Sequence, residues 1–173
     1  LVMSPANQTI AIVLTNRVHP TRNTPSINPV RRSFARVVGD SIPVQVKKGS
    51  ETWFAGYGDQ LNNTLTAKVD VKEEASLSFS TWFRIEDGSD SGDVEISEDG
   101  KTFTSIRSFT GKSEDWDKEK ALIPAGTKFI RFSYRTDASV NGRGWYVQDA
   151  SLKTKHGKKK LKFEADGFER RKD

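Results

Sequence analysis

Cysteine is absent, methionine occurs once and histidine twice. The first absence removes disulfides and thiolate metal sites, and with them any reading of redox compartment from cysteine pairing. His19 and His156 stand far apart with no carboxylate at triad spacing, so no nucleophile–base pair can be assembled within the chain. Mean hydropathy is −0.65, and no apolar run approaches the roughly 20 residues that a membrane-spanning helix needs. The chain opens Leu1-Val2-Met3 with no initiator methionine, basic n-region or cleavage site. The expectation is therefore an internal or processed piece of a longer protein.

What is present suits a β-sandwich better than a helical protein, since 34% of the 173 residues are hydrophobic and 10% aromatic. Net charge is +5, but it is unevenly placed. Residues 1–50 hold seven Lys/Arg against one Asp, residues 51–152 twelve against eighteen, and residues 153–173 nine against four. The charge divides the chain into three unlike blocks and does not amount to a nucleic-acid footprint.

Leu77 to Phe103 is the segment around which the rest is organised. Leu77, Phe79, Thr81, Phe83 and Ile85 alternate, as on a strand with one face against a core. Val94 and Ile96 resume the alternation, and Asp99-Gly100 predicts a tight turn with a third strand starting near Lys101. The expected unit is three antiparallel strands. Between Glu86 and Asp99 seven acidic residues occur with no Lys or Arg.

Elsewhere, Ile10–Leu14 reads as a strand buried on both faces. Asn28-Pro29-Val30 opens a helix with Val30, Phe34, Val37 and Val38 on one face, stopped at Gly39. Residues 41–50 read as a linker with an Ile42-Val44-Val46 edge strand. Alternating strands follow at Leu61–Val71 and at Lys128–Arg135, and a last one follows Asn141-Gly142-Arg143-Gly144. This spacing predicts an all-β sandwich.

Two resemblances attach to these residues. VMSPANQTIAIVLTNRVHPTRNTPSINPVRRSFARVV, most specifically Leu14-Thr15-Asn16-Arg17-Val18-His19-Pro20, resembles the C-terminal end of the serine β-lactamase and penicillin-binding-protein-like hydrolases. That family's Ser-x-x-Lys, Tyr-x-Asn and Lys/His-Thr-Gly motifs are missing, so the resemblance implies catalytic machinery upstream and no catalytic residue here. Residues 45–153, through Gly58-Asp59, the Leu77–Phe103 segment, FTGKSEDW and SVNGRGWYVQDASL, resemble the non-catalytic MAM-like jelly roll of the immune inhibitor A metalloproteases.

The expected fold is thus mainly β, an antiparallel jelly-roll sandwich over 51–153. A strand-strand-helix fragment of an α/β serine hydrolase domain precedes it at 1–40, and a basic tail or the start of a further module follows at 154–173. The resemblances imply an exported, extracellular or cell-wall-associated bacterial protein of Gram-positive type. Its partners would be the N-terminal catalytic portion of the same protein and a cell-wall polymer, glycan or extracellular protein, with no nucleic acid.

Candidate site residues are few. Arg17, His19 and Arg22 form a substrate rim or simply a loop tying strand to helix. Trp82 is out of phase with the core positions around it, so it faces away from that core, as packing or as a sugar-stacking platform. Asp87 to Glu98 keeps the register of an EF-hand calcium loop, but the alternating VEIS that follows Gly92 excludes the second helix. A different oxygen-ligand site for calcium remains, built on Asp59 and Asp149 with Glu86 third; a solvated acidic loop and a hydrogen-bonded Asp explain the same residues. Clustered lysines in KTKHGKKKLK read as a solvated stretch or as a contact with anionic polymer.

Overall fold

The computed structural model describes residues 2–4, 9–12, 14, 27–140 and 142–171. The chain divides into two units, Leu1–Gln45 and Val46–Asp173. In the first, β1 (Val2–Ser4) pairs antiparallel with β2 (Thr9–Ala11), and α1 spans Asn28–Ser41 with Pro29 in its first turn. Ile10, Ile12 and Leu14 are exposed, as are Val30, Phe34 and Val37 on the helix. The expectation of an Ile10–Leu14 strand buried on both faces fails within this chain, because among the described residues β1 is its one paired neighbour. Helix α1 runs two residues past Gly39, and the Ile42 N–H then donates to the Gly39 carbonyl. No strand forms at Ile42–Val46.

The second unit is a sandwich of two antiparallel sheets. Its strands are β3 (Thr52–Phe54), β4 (Asn62–Lys68), β5 (Ala75–Arg84), β6 (Ser91–Ser97), β7 (Thr104–Phe109), β8 (Asp117–Ile123), β9 (Phe129–Arg135), β10 (Gly144–Thr154), β11 (Gly157–Lys160), β12 (Glu164–Asp166) and β13 (Glu169–Arg171). Sheet 1 has the order β13-β3-β10-β5-β8, with β11 also paired to β10. Sheet 2 has the order β12-β4-β9-β6-β7.

The core lies where the alternation places it. Leu77, Phe79, Thr81, Phe83 and Ile85 are buried from sheet 1, and Val94, Ile130, Phe132 and Tyr134 from sheet 2. Trp145 is fully buried; its Nε1–H donates to the Thr81 hydroxyl at 2.7 Å, and its ring meets Phe109, Phe132, Tyr134 and Phe168. Gly92 lies under that ring, where a Cβ would sit 2.7 Å from it. A side chain there would displace the largest residue of the core.

Three expectations need correction. β5 and β6 are not neighbours: β5 pairs with β8 and β10, whereas β6 pairs with β7 and β9, so the acidic connection between them crosses from one sheet to the other. Alternation reports which face is buried and is silent about which strand lies alongside. β7 begins at Thr104 rather than near Lys101, because the Asp99 carboxylate accepts the Lys101 and Thr102 N–H groups, each at 2.8 Å, and widens the turn. Those bonds hold the Asp99 carboxyl below its usual range.

Residues 154–171, expected as part of a basic tail or of the start of a further module, belong to the sandwich. β11 and β13 extend sheet 1, β12 extends sheet 2, and Leu161 and Phe168 are buried in the same core. The lysines of β11 are exposed while the apolar residues after them close the sandwich.

A bulge in β10 decides what its second half shows to solvent. Trp145 and Val147 point inward, then the register slips between Gln148 and Ser151, and Ala150 and Leu152 take over the inward positions. Asp149 absorbs the extra residue with φ +54°, and its N–H donates to the Glu51 carbonyl at 3.1 Å. Tyr146, Gln148, Ser151 and Lys153 are thereby turned toward the outer face, where Gln148 and Ser151 are buried, Tyr146 is half-buried and Lys153 is exposed.

Candidate functional site

The outer face of sheet 1 carries an aromatic cluster built from four separate segments. Strand pairing places Trp82 of β5 opposite Tyr146 of β10, and Tyr146 opposite Phe54 of β3. The Phe54 and Tyr146 rings are 4.6 Å apart, and Trp82 and Trp116 meet Tyr146 edge-on at 5.7 and 6.3 Å. Arg143 lies over Trp82 at 5.5 Å and Arg171 over Phe54 at 4.7 Å. Trp82, Trp116 and Tyr146 are half-buried, and Phe54 is buried beneath Arg171. The result is a partly exposed apolar surface bordered by guanidinium groups, with stacking surface and hydrogen-bond donors side by side. Burial pushes the Tyr146 phenol up.

A second site lies at one end of the sandwich. Glu86 follows β5, Asp90 precedes β6 and Asp137 follows β9, and one carboxylate oxygen from each falls within 4.8 Å of the others. Asp90 is buried; its oxygens accept the Asp137 N–H at 3.1 Å and the Glu86 N–H at 3.4 Å. The loop is held from outside by Thr110, whose hydroxyl donates to the Glu86 carbonyl at 3.1 Å and accepts the Gly88 N–H at 2.8 Å. Glu86 Oε2 is a buried oxygen with no hydrogen-bond partner. Burial, then the negative charges of Asp137 and Asp90, push the Glu86 carboxyl up; burial and Asp90 push the Tyr134 phenol up in the same way. Three carboxylates with an unsatisfied oxygen and, among the described residues, no cationic side chain as a hydrogen-bond partner fit a hard, oxygen-preferring divalent cation.

Asp93 and Glu95 of the acidic segment are consumed by structure. On the outer face of sheet 2, buried Asp93 and Glu95 are paired with Arg135, and Glu95 also with Arg131 at 2.6 Å. Arg131 in turn stacks on Phe103 at 3.5 Å. Buried ion pairs of this kind compensate desolvation and leave little charge for a ligand. β6 occupies Ser91–Ser97, where an EF-hand would need its loop to continue into a helix.

Of the residues singled out from the sequence, Trp82 lies on the outer face and Glu86 in the carboxylate cluster. Asp59 is next to Gln60, whose N–H donates to the Asp137 carbonyl at 2.6 Å, but its own carboxylate is not among the three. Asp149 sits in the β10 bulge and accepts from the Ser50 hydroxyl at 2.6 Å and the Glu51 N–H at 3.3 Å. Asp59, Glu86 and Asp149 are therefore not brought together. Arg17, His19 and Arg22 lie outside the described residues. Asp90 and Asp137 had weaker signals: the first was one of seven acids, the second the one carboxylate in the loop after β9. Phe54, Tyr146 and Trp116 could not be joined to Trp82 without the strand order.

No family model matches the chain. Bacillopeptidase F of Bacillus subtilis (strain 168) is 30% identical over 98 residues, which is 54% of this chain and 7% of that protein. The chain thus spans a small fraction of the curated relative it matches. Among solved structures, the K2 cleaved adhesin domain of Lys-gingipain aligns at TM-score 0.39 with 21% identity, over 58% of this chain and 68% of that one. The PbXyn10C CBM in its apo form aligns at TM-score 0.42 with 11% identity, over 79% and 90% respectively. Among the described residues no helix is long and apolar enough to cross a membrane.

Proposed function

We propose that the second unit is a non-catalytic binding module of an exported protein, and that its ligand is a saccharide docked on the aromatic face of sheet 1. The observation that carries this reading is the outward cluster of Phe54, Tyr146, Trp82 and Trp116 with arginines at two of its edges. A sugar ring offers C–H groups to an aromatic face and hydroxyls to adjacent donors, and this surface supplies both. Trp82→Ala is expected to weaken binding to oligosaccharides at least about tenfold, since removing a central aromatic anchor costs on the order of 2 kcal/mol. Its melting temperature should move by no more than a few degrees, because Trp82 stands outside the core. Titration calorimetry with wild type and variant checks this, and unchanged affinity would remove the platform from consideration.

Calcium is proposed at Glu86, Asp90 and Asp137 as a structural ion joining the loops of the two sheets. Calcium at a hundredfold over its Kd adds about 2.7 kcal/mol of stability by mass action, and a chelator removes it. Glu86→Gln should abolish that response while the fold survives, since its Oε2 has no partner to lose. A melting temperature indifferent to millimolar calcium would eliminate the site.

For the whole protein, we propose a serine hydrolase of β-lactamase or penicillin-binding-protein type. In this reading residues 1–40 close its catalytic domain and the sandwich is a MAM-like accessory module placed outside the cell. The apolar residues left exposed on β2 and α1 support it, because such surface calls for a neighbouring sheet. Sequencing upstream of Leu1 tests it, and absence of a Ser-x-x-Lys motif within a few hundred residues would overturn it. The alignment to Bacillopeptidase F favours a second reading, in which the sandwich is an accessory domain of a secreted protease.

A further inference from the structure

Beyond the aromatic cluster, the outer face of sheet 1 changes character along its strands. Below Trp82, strand β5 presents Ser80, Ser78 and Ser76, and the bulge in β10 sets Ser151 beside Ser78 and Lys153 beside Ser76. The serines form a low floor, Ser151 buried and Ser76, Ser78 and Ser80 half-buried. On one side, register with β8 puts Lys118 next to Ser80 and Lys120 next to Ser78. On the other, register with β11 puts Lys160 next to Ser151 and Lys158 next to Lys153. An open depression of about 300 Å³ lined by Asp149, Ser151, Lys158 and Lys160 marks that flank.

The lysines of the two rims are separated by three strand spacings, roughly 14 Å, and the floor from Trp82 to Ser76 runs about 20 Å. All five lysines are exposed. Lys160 is paired with Glu51, but among the described residues Lys118, Lys120, Lys153 and Lys158 enter no ion pair. Lys118, Lys120 and Lys158 beside this floor and Lys153 on it outweigh the Asp149 carboxylate at its edge, whose oxygens accept from the Ser50 hydroxyl and the Glu51 N–H, and together they make a net positive field. The notable point is continuity: this floor and the aromatic cluster share the same two strands.

We infer that the ligand of this face is an acidic saccharide chain, one ring stacked at the Trp82–Tyr146 end and the carboxylates of following rings held between the lysine rows. The inference rests on the platform reading above and specifies its ligand class. A neutral glycan would use the aromatic end and leave the lysines idle. A polyol phosphate would satisfy the lysines but offers no ring to the aromatic end. A chain whose rings carry their own carboxylates meets both demands.

The test compares three probes against the whole chain by calorimetry at low and at moderate salt: oligogalacturonate, a neutral galacto-oligosaccharide of the same length, and poly(glycerol phosphate). Wild type should bind oligogalacturonate about tenfold more tightly than the neutral oligomer, with the gap narrowing as salt rises. The combined variant Lys118→Gln, Lys120→Gln, Lys153→Gln, Lys158→Gln should close that gap, and Trp82→Ala should weaken both oligosaccharides. If the lysine variant keeps the full preference, or if wild type has none, the acidic-ligand inference falls while the platform reading stands. If neither oligosaccharide binds, both fall. If poly(glycerol phosphate) binds as tightly as oligogalacturonate and Trp82→Ala has no effect on either, the face is a general polyanion patch and the inference is overturned.

Discussion

Replacing Trp145 by alanine is expected to bring the sandwich to the edge of unfolding. Truncating a buried Trp costs about 3–5 kcal/mol in lost transfer energy and cavity formation. The variant also loses the hydrogen bond from the indole N–H to the Thr81 hydroxyl, which keeps only its own donation to the Tyr146 carbonyl at 3.0 Å, at a further cost of about 1 kcal/mol. Net stabilities of domains are about 5–15 kcal/mol, so the sum removes a large share. Gly92 cannot compensate, since its missing side chain is what admits the indole. Trp145→Phe, which keeps a ring but loses the hydrogen bond, should fall between. Urea titrations followed by circular dichroism measure all three proteins; an alanine variant within 1 kcal/mol of wild type would mean that this ring is not the centre of the core.

Ending the chain after Thr154 should do comparable damage. The truncation removes Leu161 and Phe168, both buried, and Phe163, whose ring meets Trp53 and Phe132. At about 1.5–3 kcal/mol for each fully buried aliphatic or aromatic side chain, the first two and a partly buried third contribute on the order of 5 kcal/mol or more. It also strips β11 from β10, β12 from β4 and β13 from β3, leaving three unpaired strand edges that invite aggregation. Most of the shortened protein is expected in the insoluble fraction, and what remains soluble should lack a cooperative melt. A soluble truncation melting within a few degrees of the full chain would show that 155–173 is dispensable decoration.

That second prediction marks where the sequence was hardest to read. KTKHGKKKLK reads as a solvated stretch because its charge dominates any local average, whereas the residues that anchor it, Leu161, Phe163 and Phe168, are few and widely spaced. Whether they are buried depends on open edges of β3 and β4 about a hundred residues earlier, and no local window contains that information. The inward alternation in β5 and β9 was legible for the opposite reason: a strand with one dry face repeats every second residue, so the pattern is local. Trp82 is an instance of the same rule, since being out of phase is enough to place it outside. The tight turn at Asp99-Gly100 was legible as a turn, but its length was set by how many N–H groups the Asp99 side chain captures.

The amino-acid sequence by itself determined a cysteine-free, mainly β unit with its core faces, its turn positions, and a helix after Pro29. Those properties follow from covalent constitution and nearest-neighbour sterics. Tertiary structure alone decided which strands lie alongside one another. That decision sent the acidic connection across the sandwich and gathered Glu86, Asp90 and Asp137 from three loops. It also aligned Trp82 with Tyr146 and Phe54. Through one extra residue at Asp149, it turned Ser151 and Lys153 outward onto the face that the lysines of β8 and β11 border. The physical reason is that strand order and register are settled by burying both sheets' inner faces at once, a condition on the whole chain that no single segment can express.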